Sequence, residues 1–154
     1  MDILHGVITS MLTPFTPSLQ VDEETLASEI EYQIDAGVHG ICVLGGTGES
    51  LSLNWEEREQ VVKIAVQAVS GRVPLVVGCF VPLEEQLITF ANRIEELGAT
   101  AMMLTPPPFY KSTASQFQSM LMSISSGTKL PLVVYNAPKR AGVNLTGPEI
   151  CQLV

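Results

Sequence analysis

Basic residues and long apolar runs are both scarce in this chain of 154 residues. Eight lysines and arginines stand against sixteen aspartates and glutamates, which gives a formal net charge of −8. An acidic chain repels phosphate backbones, so we expect no nucleic-acid partner. No apolar run approaches the roughly 20 residues that a membrane span needs, and the first residues lack the basic segment of a signal peptide. We therefore expect no membrane contact and a cytoplasmic protein.

Cysteine is also rare, and its placement excludes two kinds of site. Cys42, Cys79 and Cys151 are odd in number and far apart. This spacing is typical of neither a disulfide framework nor a metal centre, so we expect reduced thiols and no metal. Hydrophobic residues make up 46% of the chain and charged residues 16%. This composition predicts a folded core, and without a linker we assign residues 1–154 to one domain.

Short apolar runs alternate with longer amphipathic stretches along the chain. The runs lack strict alternation of polar and apolar residues, which favours parallel strands covered on both faces. The predicted strands are 6–9, 40–44, 74–78, 101–104 and 132–135. The predicted helices are 22–36, 55–70, 83–97 and 113–125, and a further helix starts after Thr146. Strand starts recur about every 30 residues, the length of one βα unit.

Two folds with a parallel sheet fit this alternation, a closed (β/α)8 TIM barrel and an open doubly wound sheet. A closed barrel takes about 250 residues, so the chain has room for the first five βα units. In both folds the functional site lies at the carboxyl ends of the strands. His5 and His39 precede strands and are therefore poor candidates for a general base. We expect Cys42 and Cys79 to be small buried core residues.

Three loops follow strands and carry the candidate site residues. The second strand leads into Gly45–Ser50, whose backbone N–H groups can approach an anion or simply form a tight turn. The fourth leads into a proline-rich segment that presents Tyr110. The fifth ends at Tyr135, a possible proton donor and acceptor, and Arg140 follows five residues later. Arg140 either holds a substrate carboxylate through two hydrogen bonds or forms a surface ion pair.

Together the three loops resemble those of the dihydrodipicolinate synthase / N-acetylneuraminate lyase family of class I aldolases. The matching segments are Gly6–Phe15, Gly-Thr-Gly-Glu at 46–49, Pro-Phe-Tyr at 108–110 and Tyr-Asn-x-Pro-x-Arg-x-Gly at 135–142. The resemblance implies a (β/α)8 barrel, a homo-oligomer that is a tetramer in the full-length family, and a small-molecule partner, pyruvate or another 2-oxo acid. It also implies a Schiff base between a lysine and the substrate, with no separate cofactor.

The resemblance assigns a role to each candidate residue. Gly46, Thr47 and Gly48 would bind the 2-oxo acid carboxylate, with Thr47 also in the catalytic set. Tyr135 would be the acid and base near the imine. Tyr110 would belong to the proton relay. Arg140 would guide the carboxylate of a second substrate.

The sequence departs from the family pattern at two places. The family's imine-forming lysine follows the sixth strand, so we expect it beyond residue 154 and expect the chain as given not to turn over substrate. Gly46 stands where synthases carry threonine and lyases carry serine, so the relay lacks its middle hydroxyl. A Gly-Gly-Thr-Gly-Glu loop resembles sugar-acid branches such as 5-dehydro-4-deoxyglucarate dehydratase. The further alternative is an inactive fragment that acts only by associating with another chain.

Overall fold

The computed structural model describes residues 4–107 and 111–152. Its single sheet contains five strands in the order β1-β2-β3-β4-β5, and every neighbouring pair is parallel. The strands are β1 (Ile8–Ser10), β2 (Gly40–Val43), β3 (Leu75–Gly78), β4 (Ala101–Leu104) and β5 (Leu132–Val134). Each strand therefore pairs with the next in sequence. A doubly wound sheet reverses direction at a switch point, so this order favours the barrel.

Helices connect successive strands and cover one face of the sheet. They are α1 (Glu23–Asp35), α2 (Trp55–Val69), α3 (Glu84–Leu97), α4 (Ala114–Gly127), α5 (Pro138–Ala141) and α6 (Gly147–Cys151). A capping box begins α2, since the Asn54 side chain accepts from the Glu57 N–H and the Glu57 side chain accepts from the Asn54 N–H. None of the helices within residues 4–107 and 111–152 has the length and apolar composition of a membrane-spanning helix.

The predicted elements agree with the structure to within about two residues at each end. The largest strand difference is at β1, which begins at Ile8 instead of Gly6 because Gly6 adopts a left-handed conformation with φ 65°. β2 ends before Leu44 for the same reason, since Leu44 has φ 56°. The sequence analysis missed the short helix α5, where Pro138 occupies the first helical position.

Both faces of the sheet are apolar, which explains the unbroken hydrophobic runs. The main core lies between the sheet and the helices and includes Ile41, Val43 and Val77. A smaller cluster, built around Cys42, Val76 and Ala101, lies on the opposite, concave face. Because successive side chains of a strand point to opposite faces, adjacent residues such as Cys42 and Val43 enter different clusters. The carboxyl ends of the strands lie at one edge of this concave face.

Candidate active site at the carboxyl ends of the strands

Two adjoining cavities lie where the carboxyl ends of the strands meet. The inner cavity has a volume of about 310 Å³ and rests on the concave face of the sheet. The outer cavity has a volume of about 170 Å³ and lies between the loops that follow β2, β3, β4 and β5. Gly46, Tyr135 and Arg140 line both. These three residues therefore form the boundary between the cavities.

The loop after β2 is held by contacts with the segment that follows β1. The buried Thr13 hydroxyl donates a hydrogen bond of 2.7 Å to the Gly48 carbonyl. A Cβ at Gly48 would lie 3.1 Å from the Met11 carbonyl oxygen, which leaves little room for a side chain. Leu44 and Glu49, on either side of the three glycines, both adopt left-handed backbone conformations with φ 56° and 53°. Such conformations are costly for residues with a side chain and persist only where surrounding contacts impose them.

Buried hydroxyl groups border the outer cavity. Ser50 and Thr105 both line it, and neither hydroxyl has a hydrogen-bond partner among the described residues. The Ser50 carbonyl accepts a 3.1 Å hydrogen bond from Nε of buried Arg58. The Arg58 guanidinium lies 4.6 Å from the centre of the Trp55 ring, and burial lowers its pKa. A cation at this distance is within the range of a cation–π interaction.

Tyr135 stands at the end of β5 and faces the boundary between the cavities. Its backbone N–H donates to the Leu104 carbonyl, which continues the β4–β5 pairing by one residue. Its ring lies 6.2 Å from that of Phe80, at the end of β3. The next residue, Asn136, exchanges two hydrogen bonds with the backbone of Leu145. This exchange holds the segment that carries α5, and α5 in turn carries Arg140.

Residues 3–154 match the Dihydrodipicolinate synthetase family. This chain belongs to that family. It is 33% identical over 153 residues to the 4-hydroxy-tetrahydrodipicolinate synthase of Bartonella bacilliformis, a match that covers 97% of this chain and 52% of the relative. The chain thus spans about half the length of the curated relatives it matches.

Solved structures of the dihydrodipicolinate synthase family show the same fold. The Thermotoga maritima dihydrodipicolinate synthase has a TM-score of 0.93 at 33% identity, over 98% of this chain and 51% of that one. A prophage protein of the family from E. coli K12, solved in complex with pyruvate, has a TM-score of 0.91 at 28% identity. That match covers 96% of this chain and 50% of the other. The five βα units therefore correspond to part of the family's TIM barrel.

The structure brings together four of the six predicted site residues. Gly46, Thr47, Tyr135 and Arg140 all line the inner cavity. Gly48 does not line it and instead packs behind the loop against Met11 and Thr13. Tyr110 lies outside the described residues. The chemical roles that the family resemblance assigns to these residues remain predictions.

Of the residues set aside in the sequence analysis, His5 and His39 line neither cavity, and Cys42 lines the inner cavity as a buried side chain. His5 and His39 contact each other at the amino ends of β1 and β2, with ring centres 5.2 Å apart. Cys42 and Cys79 are buried, and burial raises the pKa of each thiol to about 11. Both thiols are therefore protonated at neutral pH and are poor nucleophiles.

Sequence reasoning missed Thr105 and Phe80 of the outer cavity, and it gave no separate role to Glu49 and Ser50 of the loop after the second strand. The family resemblance pointed to the glycines and the strand 5 motif, and nothing in the order of residues marks the two serine and threonine hydroxyls as buried. No lysine lines either cavity among the residues that the structure describes. Lys63, for example, lies on α2 and forms a 2.6 Å ion pair with Glu59.

Two threonine-to-valine substitutions should show how a hydroxyl with a hydrogen-bond partner and one without a partner among the described residues differ in their effect on stability. Thr13 and Thr105 are 7% and 9% exposed, so valine fills both sites equally well. We expect Thr13→Val to lower the free energy of unfolding by about 1–3 kcal/mol, because the Gly48 carbonyl loses its donor. We expect Thr105→Val to leave it unchanged or slightly raised, because the Thr105 hydroxyl has no hydrogen-bond partner among the described residues. Urea denaturation measures both, and equal losses would contradict the assignment.

Proposed function

We propose that this chain belongs to a lyase of the class I aldolase type, which acts on pyruvate or a related 2-oxo acid through a Schiff base. The chain supplies the carboxylate-binding and proton-transfer residues, and the imine-forming lysine lies outside its 154 residues. The observation that carries the proposal is the inner cavity, where Thr47, Tyr135 and Arg140 meet on one concave surface. The complex of the E. coli family member with pyruvate supports the choice of substrate.

The inner cavity offers the groups that a 2-oxo acid requires. Its wall contains the backbone of Gly45–Thr47, which can donate N–H groups to a carboxylate, and the Thr47 hydroxyl can add another donor. The floor is apolar, formed by Ile8, Val76 and Val133. An apolar floor suits the methyl end of pyruvate and lowers the local dielectric, which strengthens each polar contact above it.

Tyr135 is the proposed proton-transfer residue. A phenol can donate and accept a proton, and Tyr135 borders both cavities at the end of a strand. In a Schiff-base reaction the protonated imine withdraws electrons from the neighbouring carbon, which eases loss of a proton or cleavage of a C–C bond. The tyrosine would exchange protons with the imine nitrogen and the departing oxygen. No cofactor is required for this chemistry.

The lysine assignment can be tested by reductive trapping. We expect borohydride and radiolabelled pyruvate to leave the 154-residue chain without covalent label, because none of its four lysines, all within the described residues, lines either cavity. The same chain should bind pyruvate reversibly, measured by saturation-transfer NMR. Label on any of Lys63, Lys111, Lys129 or Lys139 would overturn the assignment.

A matched pair of substitutions tests the binding loop. Thr47→Val should weaken pyruvate binding several-fold through loss of a hydroxyl donor. Thr89→Val, at an exposed position on α3, should leave it unchanged. Absence of pyruvate binding by the unmodified chain would contradict the proposed function. That result would favour a polypeptide that acts only by association, for which β1 and β5 offer edges with a single strand neighbour each among the described residues.

A further inference from the structure

Arg140 occupies the space that a side chain at position 46 would fill. A Cβ built on Gly46 would lie 1.9 Å from Nη1 of Arg140 and 3.1 Å from its Cζ. The three nearest atoms to that Cβ all belong to Arg140. The backbone of Gly46 does not have the positive φ found at Gly6 or Gly37. The position therefore needs glycine for the room it leaves to the arginine and not for its backbone conformation.

Among the described residues, the Arg140 side chain has no hydrogen-bond or ion-pair partner, whereas the other three arginines each have one. Arg58 donates to the Ser50 carbonyl, Arg72 pairs with Glu31, and Arg93 pairs with Glu59 and Glu96. Within residues 4–107 and 111–152, Arg140 makes no ion pair and its side chain donates no hydrogen bond. A guanidinium carries five N–H donors in a planar fork that matches a carboxylate. The N–H groups of the Arg140 guanidinium are therefore available to bind an anionic ligand.

The position of Arg140 decides which carboxylate it meets. Arg140 lines the inner cavity together with Thr47 and the Gly45–Gly46 backbone. It also lines the outer cavity, so its charge lies at the boundary and faces inward as well as outward. With a side chain at 46, the guanidinium would have to retreat by about 1.5 Å or more to reach an ordinary contact distance. It would then leave the wall that it shares with the Thr47 loop.

We propose that Gly46 is a specificity-determining residue that admits Arg140 to the Thr47 loop, so that the guanidinium and the loop bind one substrate carboxylate together. This inference rests on the proposed function and sharpens it. Arg140 becomes a ligand of the 2-oxo acid itself and is not confined to guiding a second substrate at the entrance. A bidentate guanidinium contact supplies both charge and orientation to the bound carboxylate.

The test is a double-mutant cycle on the full 154-residue chain with pyruvate as the probe. Gly46→Ala should weaken pyruvate binding about tenfold or more, the usual effect of losing a charge-assisted hydrogen bond. In the Arg140→Ala background, Gly46→Ala should have no further effect, because the clash is gone. Gly147→Ala is the matched control, since a Cβ there meets nothing within 4 Å.

Two further measurements show whether Gly46→Ala acts through Arg140 and not through loss of folding, and neither requires pyruvate. Unfolding of Gly46→Ala should match that of the unmodified chain, because a flexible arginine end can move aside. The Arg140 Nε–Hε resonance, followed by NMR in mildly acidic buffer without ligand, should shift in Gly46→Ala and stay unchanged in Gly147→Ala.

The outcomes distinguish the inference from the proposed function. Pyruvate binding that Gly46→Ala leaves intact overturns the inference while the proposed function stands. An unshifted Arg140 resonance overturns the inference whether or not pyruvate binds. Failure of the unmodified chain to bind pyruvate overturns the proposed function, and with it the inference that Arg140 and the Thr47 loop bind one carboxylate.

Discussion

Replacing Gly78 with alanine is expected to lower the free energy of unfolding by about 3 kcal/mol. A Cβ at this position, the last residue of β3, would lie 2.4 Å from the Leu44 carbonyl oxygen and 2.8 Å from its carbonyl carbon. The next nearest atom is the Gly45 N, at 3.1 Å. All three are backbone atoms, so no side-chain rotation relieves the clash. Relief requires the ends of β2 and β3 to separate.

The same substitution should disturb the candidate site. Leu44 already holds a left-handed conformation with φ 56°, and Gly45 begins the loop that borders the inner cavity. Pushing these residues outward would move the loop amides away from Tyr135 and Arg140. We therefore expect Gly78→Ala to weaken pyruvate binding in the fraction of protein that remains folded.

Two other glycines are controls for this experiment. Gly37 has φ 86° and open space around it, so Gly37→Ala isolates the backbone strain of a left-handed residue, about 1 kcal/mol. Gly147 has neither positive φ nor close neighbours, so Gly147→Ala should be neutral. Urea denaturation should rank the losses as Gly78 above Gly37 above Gly147. A Gly78→Ala loss no larger than that of Gly37→Ala would contradict the steric argument.

The second large effect is expected at Phe117, on the face of α4 that packs against the sheet. Its side chain is fully buried in the main core, among the largest buried side chains of the protein. Phe117→Ala should lower the free energy of unfolding by about 3–5 kcal/mol, through lost burial and the cavity left behind. A domain has only about 5–15 kcal/mol of stability, so this variant should be partly unfolded under mild conditions.

Met122 lies on the same helix and provides the comparison. Its side chain is 66% exposed, so Met122→Ala removes little buried surface. We expect a change within about 0.5 kcal/mol. Circular dichroism during urea unfolding measures both variants. If Phe117→Ala costs less than about 1 kcal/mol, the helix is not anchored by this residue.

Local chemistry made the elements of this protein predictable. The Asn54–Glu57 capping box and the glycine after α3 mark helix ends through contacts within a few residues. The apolar runs gave β2 to β5 to within one residue, because parallel strands covered on both faces need uninterrupted apolar side chains. The strand ends then located the site, since the carboxyl edge of a barrel collects the loops that follow its strands. The loops that carry Gly46, Thr47, Tyr135 and Arg140 were found this way, and the family resemblance then assigned roles to these residues.

The arrangement inside the site depended on the tertiary structure. Arg140 and Gly46 are 94 positions apart, and their contact arises only when the ends of β2 and β5 curve toward the same cavity. The same holds for Gly78, which looks like an ordinary strand residue until the Leu44 backbone lies against it. The Ser50 and Thr105 hydroxyls are buried without a hydrogen-bond partner among the described residues, and this too depends on the residues packed around them.

The amino-acid sequence by itself determined the βα units, the edge of the sheet that carries the site and the family to which the chain belongs. Those features follow from periodicity, capping and motifs, which act over a few residues. The tertiary structure alone decided that Arg140 fills the place left by Gly46 and that three residues divide two cavities. Such contacts depend on distances of a few ångströms between residues far apart in the chain, and no local pattern encodes them.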